Sequence, residues 1–149
     1  MRNQFWLSTK LYLLTGFVAT ATAHPASALD VSIKGLRNTQ GDVVVCIWRT
    51  MDKGFPNCGT GSPWKKLSAS AAEPRVTFKD LPPGVYAVSM LHDEKRIGKP
   101  ATNLIGMPTS GVGLANNPSL GPTSPPTFKK GRVVVPDVKS ITITAKYLF

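Results

Sequence analysis

The residues best suited to chemistry are His92, Asp93 and Glu94, which follow a predicted buried strand. After residue 28 they are the only cluster that joins a histidine to carboxylates, the side chains most often used for proton transfer. A nucleophilic triad also needs a serine or cysteine held beside the histidine, and no Gly-x-Ser-x-Gly motif occurs. His92 is the sole imidazole after residue 28, so a two-histidine metal site cannot form. We therefore expect no enzymatic activity, no metal and no cofactor.

The segments around this cluster are predicted to be short β-strands. Val85–Leu91 carries β-forming residues with apolar groups on both faces, as a central strand does. Leu29–Ile33 alternates in the manner of a half-buried strand, and Val43–Trp48 is apolar on both faces. Further strands are predicted at Trp64–Leu67, Arg75–Lys79, Arg132–Val135 and Lys139–Phe149. About seven strands separated by Gly/Pro turns predict an all-β fold, an antiparallel β-sandwich forming one domain over residues 29–149.

One long Gly/Pro-rich loop is predicted between Asp93 and Gly131, a region with six glycines and six prolines. Within it, Asn103–Asn117 mixes glycine with large apolar side chains, which a solvated linker would not carry. Two interpretations stay open, a cap over one end of the core and a binding surface. We expect Leu104 and Ile105 to anchor the loop in the core, and Gly111–Leu114 to form its mobile tip.

The candidate binding residues lie on this loop and at its entry. Asn116 and Asn117 carry amides that suit sugar hydroxyls or a peptide backbone, and His92 is expected to hydrogen-bond a loop carbonyl and hold the entry in place. The full candidate set is His92, Asp93, Met107, Val112, Leu114, Asn116 and Asn117.

The N-terminus is typical of a cleaved secretory signal. Arg2 and Lys10 form a positive region, and Leu11–Ala23 is a short, mostly apolar run without a charge. Small residues at alternate positions end at Ala23 and at Ala28. We favour cleavage after Ala28 because strand alternation begins at Leu29, with cleavage after Ala23 as the alternative. We therefore assign residues 1–28 to a signal peptide and expect the remaining domain in the periplasm or outside the cell.

The predicted export affects how the net charge and the two cysteines are interpreted. The segment 1–28 holds two of the 18 basic residues and none of the eight acidic ones, so the remainder carries 16 − 8 = +8. Export argues against nucleic acid as the partner, and an anionic envelope polymer, lipid head groups, a carbohydrate or a peptide fits better. A basic surface that is simply solvated remains the leading interpretation of this charge. Cys46 and Cys58 are expected to form a disulfide that fixes the intervening loop to the sheet.

The chain from Leu29 onward resembles an uncharacterised bacterial family, domain of unknown function 2141. The resemblance covers nearly the whole mature domain and implies an exported, Ig-like or transthyretin-like β-sandwich, with no reaction assigned. It rests on Val31-x-Ile33-x-Gly35-Leu36, Gly41–Val45, Gly54–Pro56, Leu81–Val88, His92–Glu94, Gly98-Lys99, Thr102-Asn103, Gly106–Pro108, Gly111-x-Gly113, Asn116-Asn117 and Pro126-x-Phe128.

The family often places Asp and Asn residues after the His-Asp-Glu cluster, in a spacing similar to calcium loops. Here Lys95, Arg96 and Lys99 occupy that loop, and such cations repel a divalent ion. No calcium site is therefore expected.

Taken together, the predicted export, the β-sandwich and the lack of a catalytic motif favour a non-catalytic, monomeric binding or accessory module of the cell envelope. A structural component of an envelope assembly is the alternative, and an uncharacterised hydrolase ranks third.

Overall fold

The structure, a computed structural model, describes residues 27–148. Its strands are β1 (Ser27–Lys34), β2 (Asp42–Trp48), β3 (Lys65–Ser70), β4 (Arg75–Leu81), β5 (Gly84–Asp93), β6 (Gly111–Leu114), β7 (Arg132–Val135) and β8 (Ser140–Thr144). No helix occurs in this part of the chain, and so none is long and apolar enough to cross a membrane. The predicted signal peptide falls mainly on residues 1–26, outside the described residues. Cleavage after Ala23 would leave β1 whole, whereas cleavage after Ala28 would remove its first two residues.

The strands form two sheets, which confirms the predicted all-β sandwich. One sheet has the order β4-β1-β8, and the other has the order β3-β2-β5-β6, with β7 also paired with β5. All pairs are antiparallel except β1 and β8, which run parallel. There are eight strands instead of about seven, because β6 lies inside the region expected to be a loop.

The space between the sheets is filled by side chains that alternate along the strands. Leu29, Val31 and Ile33 of β1 are buried, as their spacing predicts, and Val76 and Phe78 of β4 are buried with them. Branched and aromatic residues of this kind stabilise a sandwich by roughly 25 cal/mol per Å² of apolar surface removed from water. The cluster also contains Val43, Val45, Ile47, Tyr86, Val88, Met90, Val133, Val135 and Ile143.

A second apolar cluster covers the outer face of the five-stranded sheet, so β2 and β5 are apolar on both faces as predicted. Cys46 and Trp48 point to this outer face and contact the loop that follows β2. The expected Cys46–Cys58 disulfide is present and joins that loop to the sheet, with the two Cα atoms 5.8 Å apart. Ser89 adds a polar link, since it accepts a hydrogen bond from the Trp48 indole and donates one to the Pro56 carbonyl, both at 2.8 Å.

β6 and β7 share one edge of β5, each along half of its length. β6 pairs with Ser89–His92, and β7 pairs with Gly84–Ala87. At the junction, the Val88 N–H donates to Gly131 and the Val88 carbonyl accepts from Ala115, each at 3.0 Å. The segment between β6 and β7 is therefore held beside the middle of the central strand.

Candidate functional site

His92 lies at the end of β5 and is completely buried between the sheets. Its Nε2 lies 2.8 Å from the carbonyl oxygen of Gln40, and its Nδ1 lies 2.7 Å from the hydroxyl of Tyr147. The predicted bond to a carbonyl is therefore present, but the carbonyl belongs to the β1–β2 connection and not to the loop after β5. His92 thus joins three distant parts of the chain.

Hydrogen-bond partners occupy both nitrogens of this imidazole. A carbonyl can only accept, so Nε2 carries the proton and donates it to Gln40. The Tyr147 hydroxyl accepts the backbone N–H of Arg37 at 3.1 Å and shares a second hydrogen bond with Nδ1 of His92. Both ring nitrogens of His92 are therefore bound by the protein itself.

Glu94 extends this cluster toward the surface. Both of its carboxylate oxygens accept hydrogen bonds from the guanidinium of Arg37 at 2.6 Å, and Asn38 donates a third at 2.8 Å. These bonds, with the Arg37 bond the strongest cause, lower the pKa of Glu94 from 4.5 to about 2. Arg37 also stacks over the Tyr147 ring, 4.6 Å from its centroid, while burial raises the pKa of the Tyr147 hydroxyl. The cluster joins the β1–β2 connection to β5 and the C-terminal segment.

Asp93 is buried and shapes the turn that follows β5. Its carboxylate accepts the backbone N–H groups of Ile97 at 3.0 Å and Gly98 at 2.6 Å. The side chain of Arg96 folds back to Asp42, 3.0 Å away. Asp93 therefore stabilises the turn with its own carboxylate. Among residues 27–148, no group of three His, Cys, Asp or Glu side chains converges that could hold a metal ion.

The expected division of the long loop is wrong in both halves. Leu104 and Ile105 do not anchor it in the core: Leu104 is fully exposed and Ile105 is 82% exposed. Gly111–Leu114 is not a mobile tip, because it forms β6 and pairs with β5. The glycines of β6 are needed for a steric reason. Gly111 and Gly113 bring β6 so close to the core that an added Cβ would meet the Tyr147 ring at 2.7 Å and Ile143 at 2.6 Å.

The two asparagines after β6 bind the protein's own backbone. Asn116 donates to the carbonyls of Lys130 and Arg132 at 3.1 and 2.9 Å. Asn117 donates to Thr142 at 2.9 Å and accepts from the Thr144 N–H at 2.7 Å. Both residues have positive φ, of 66° and 47° respectively, which asparagine tolerates better than most side chains. Their amides therefore fix the end of β6 to β7 and β8.

An apolar cleft of about 250 Å³ opens on the outer face of the five-stranded sheet. Leu91, Val112 and Leu114, from the paired strands β5 and β6, lie beneath it. Its walls come from loops that are far apart in sequence, and they are rich in proline. They include Pro56, Asn57, Cys58, Pro100, Pro108, Leu120, Gly121, Pro126 and Leu148.

The cleft is lined by only two of the seven binding residues that were predicted from the sequence. Val112 and Leu114 line it, whereas His92 and Asp93 lie inside the protein and Asn116 and Asn117 bind backbone. Met107 is half-buried at the end of the turn that carries Leu104 and Ile105. Leu91, Leu120, Leu148 and the prolines of the walls were not among the residues predicted from the sequence. A usable signal was the spacing of Val112 and Leu114, which places both on one face of a strand.

The fold and the cleft define a disulfide-linked β-sandwich domain that carries an apolar cavity on one outer face. A family model described as "Uncharacterized protein conserved in bacteria (DUF2141)" matches residues 31–144, well over half of the chain. The protein belongs to this family, as the resemblance predicted. No curated protein and no solved structure matches the sequence.

Proposed function

We propose that this protein is an exported, non-catalytic binding domain and that its binding site is the cleft above Leu91, Val112 and Leu114. The cleft is the observation that supports the proposal most. Pre-formed concave sites lined by apolar side chains are the usual form of small-ligand sites. Its floor is part of the sheet, so the site is held by strands and by the Cys46–Cys58 disulfide that fixes one wall.

The lining of the cleft favours an apolar ligand group. Prolines contribute no N–H, and the side chains around the floor are leucine and valine, so the lining offers few groups to a sugar hydroxyl. A cavity of about 150 Å³ is large enough for benzene, so one of 250 Å³ suits a ring or a short acyl segment. The net charge of +8 over residues 29–149 would favour ligands that also carry an anionic group.

Export is supported by the disulfide, because such bonds persist in oxidising compartments. The alternative role in an envelope assembly would use an exposed sheet edge. The edge strand β3 begins with Lys65 and Lys66, and charged residues of this kind oppose edge-to-edge pairing. The binding role is therefore the better supported of the two.

The test uses anilinonaphthalene sulfonate, a fluorescent probe that joins an apolar ring system to an anionic group. In the Val112→Phe variant the larger side chain occupies the cleft, and we expect the probe affinity to fall by roughly tenfold or more, the equivalent of about two lost CH₂-sized contacts or more. Val85→Phe is the matched control. Val85 lies on the same outer face of β5 but outside the cleft, and it is exposed.

A second variant, Leu148→Glu, places a charge at the rim of the cleft, on a side chain that is 39% exposed. This variant should also lower the probe affinity while leaving the melting midpoint near that of the wild type. Unchanged affinity in Val112→Phe and Leu148→Glu, or an equal loss in Val85→Phe, would refute the cleft as the binding site.

A further inference from the structure

A small hairpin rises from the end of the five-stranded sheet where β5 ends and β6 begins. Its arms are joined at the base, where the Thr109 N–H donates to Ala101 at 2.8 Å, and again at Asn103, whose N–H donates to Met107 at 3.0 Å. The Asn103 side chain closes the turn by accepting the N–H groups of Ile105 and Met107 at 3.1 and 2.9 Å. The hairpin is thus held by its own hydrogen bonds.

The tip of this hairpin presents two large aliphatic side chains to water. Leu104 and Ile105 are the most exposed of the large apolar residues that follow the disulfide loop. Both side chains are almost entirely exposed, so burial of their apolar surface adds little to the stability of the fold. Exposed aliphatic side chains at a rigid protruding turn are suited to insertion into another apolar phase.

The charge around the tip has one sign. Between Glu94 and Asp137 the chain contains no acidic residue, while it contains Lys95, Arg96, Lys99, Lys129, Lys130 and Arg132. Lys95 and Lys99 lie in or beside the turn after β5, at the same end of the sheet as the hairpin. Neither forms an ion pair within residues 27–148, whereas the nearby acids Asp42 and Glu94 are paired with Arg96 and Arg37.

We infer that this hairpin inserts Leu104 and Ile105 into the surface of an anionic lipid bilayer, with Lys95 and Lys99 contacting the head groups. Aliphatic side chains flanked by cations are the combination that binds anionic membrane surfaces. A protein partner fits less well, because protein interfaces depend on aromatic and arginine anchors and on a broad contact area, and Leu104 and Ile105 form a narrow tip without an aromatic residue. The inference does not depend on the cleft.

The experiment places a reporter at the tip of the full-length chain. A tip reporter is needed because Leu11–Ala23 is apolar enough to bind vesicles by itself. Leu104→Trp is mixed with vesicles of equal parts phosphatidylglycerol and phosphatidylcholine that carry brominated acyl chains, and the wild-type spectrum is subtracted. The introduced fluorescence should fall by roughly half or more, because an interfacial insertion reaches about 5–10 Å into the bilayer and so meets the bromines.

Met51→Trp is the matched control. Met51 is 90% exposed but lies at the other end of β2, away from the hairpin. Its reporter should not be quenched, and the reporter at position 104 should not be quenched by vesicles of phosphatidylcholine alone. Quenching at neither position, equal quenching at both, or equal quenching by neutral vesicles would overturn the inference. A tip that docks on a soluble protein would give the first of these results.

The cations are tested in the same background. Lys95→Ala combined with Lys99→Ala should lower the ratio of inserted to free tip, read from the quenching at position 104, by roughly tenfold or more, since each cation near an anionic surface contributes several-fold. Lys79→Ala combined with Lys139→Ala removes the same charge from exposed positions around the three-stranded sheet and should have a smaller effect. Equal losses in the two double variants would reject local contact by Lys95 and Lys99. Val112→Phe should leave the tip signal unchanged, so the cleft and the hairpin can fail separately.

Discussion

His92 and Leu104 lie on either side of one turn and reverse the usual distribution of side chains. The polar imidazole is completely buried, and the aliphatic side chain is fully exposed. The interior histidine has a partner at each ring nitrogen, and within residues 27–148 no buried side-chain nitrogen or oxygen lacks a hydrogen bond. The exposed Leu104 lies on a turn that is closed by hydrogen bonds to the Asn103 side chain, and these bonds do not depend on the leucine side chain. Structural stabilisation is therefore concentrated at His92, while Leu104 is available for an external contact.

His92 bears on the stability of the fold, whereas Leu104 bears on binding. His92 connects Gln40 and Tyr147 across the sandwich, so its loss would leave two polar groups in the interior unpaired. Truncation of Leu104 would only shorten a side chain that already lies in water. Chemical character alone would suggest the opposite ranking, with the aliphatic residue in the core and the histidine at a solvent-exposed site.

The largest effect is expected for His92→Ala. A cavity would form beside the unpaired Tyr147 hydroxyl and Gln40 carbonyl, and the free energy of unfolding should fall by about 3 kcal/mol or more. His92→Gln keeps an N–H donor that can reach the Gln40 carbonyl, so it should recover part of this loss. Denaturant titration measures both values. A cost for His92→Ala as small as that of a surface substitution would contradict the structural role.

The next effect concerns the packing of β6 against the histidine cluster. Gly111→Ala would bring a Cβ to 2.7 Å from the Tyr147 ring, which cannot move freely because it is bound to His92 and lies under Arg37. We expect a loss of about 1–3 kcal/mol from this overpacking. Gly121→Ala is the matched control, since its Cβ would have open space around it. Its melting midpoint should match that of the wild type, and equal losses in the two variants would reject the steric argument.

A smaller effect depends on pH through Glu94. Because its pKa is lowered in the folded state, the Glu94 ion pair contributes stability that is complete above about pH 4.5 and is lost as pH falls toward 2. The contribution should be at most about 1 kcal/mol, since Arg37 is partly exposed and solvent screens the pair. Glu94→Gln should flatten the stability profile in that interval. Glu73→Gln, at an exposed turn position, should leave it unchanged; identical profiles for both variants would contradict the assignment to Glu94.

The smallest effect on stability is expected at the hairpin tip. Leu104→Ala should change the free energy of unfolding by no more than about 0.5 kcal/mol, because the side chain has no buried contacts to lose. Leu114→Ala, in β6 beneath the cleft, removes a buried side chain and should cost about 2–5 kcal/mol. Parallel denaturation curves compare the two leucines directly. A large loss at Leu104 would show that the tip packs against the protein.

Much of the fold could be predicted because its signal is local. Alternation in Leu29–Ile33 and Arg75–Lys79 identifies half-buried strands, and apolar residues on both faces of Val43–Trp48 and Val85–Leu91 identify the two strands covered on both sides. The strand β6 could not be recognised in this way. Half of its four residues are glycine, and the need for glycine at these positions comes from Tyr147 and Ile143, which are remote in sequence.

By itself the sequence determined the strands, the cysteine pair and the exceptional position of His92–Glu94, because each depends on residue type and near spacing. The tertiary structure decided what those residues do. It paired His92 with Gln40 and Tyr147, used Asn116 and Asn117 to bind β7 and β8, and left Leu104 and Ile105 outside the core. It also assembled the cleft from β5, β6 and several separate loops. Burial and hydrogen bonding are relations between distant residues, so only the folded chain specifies them.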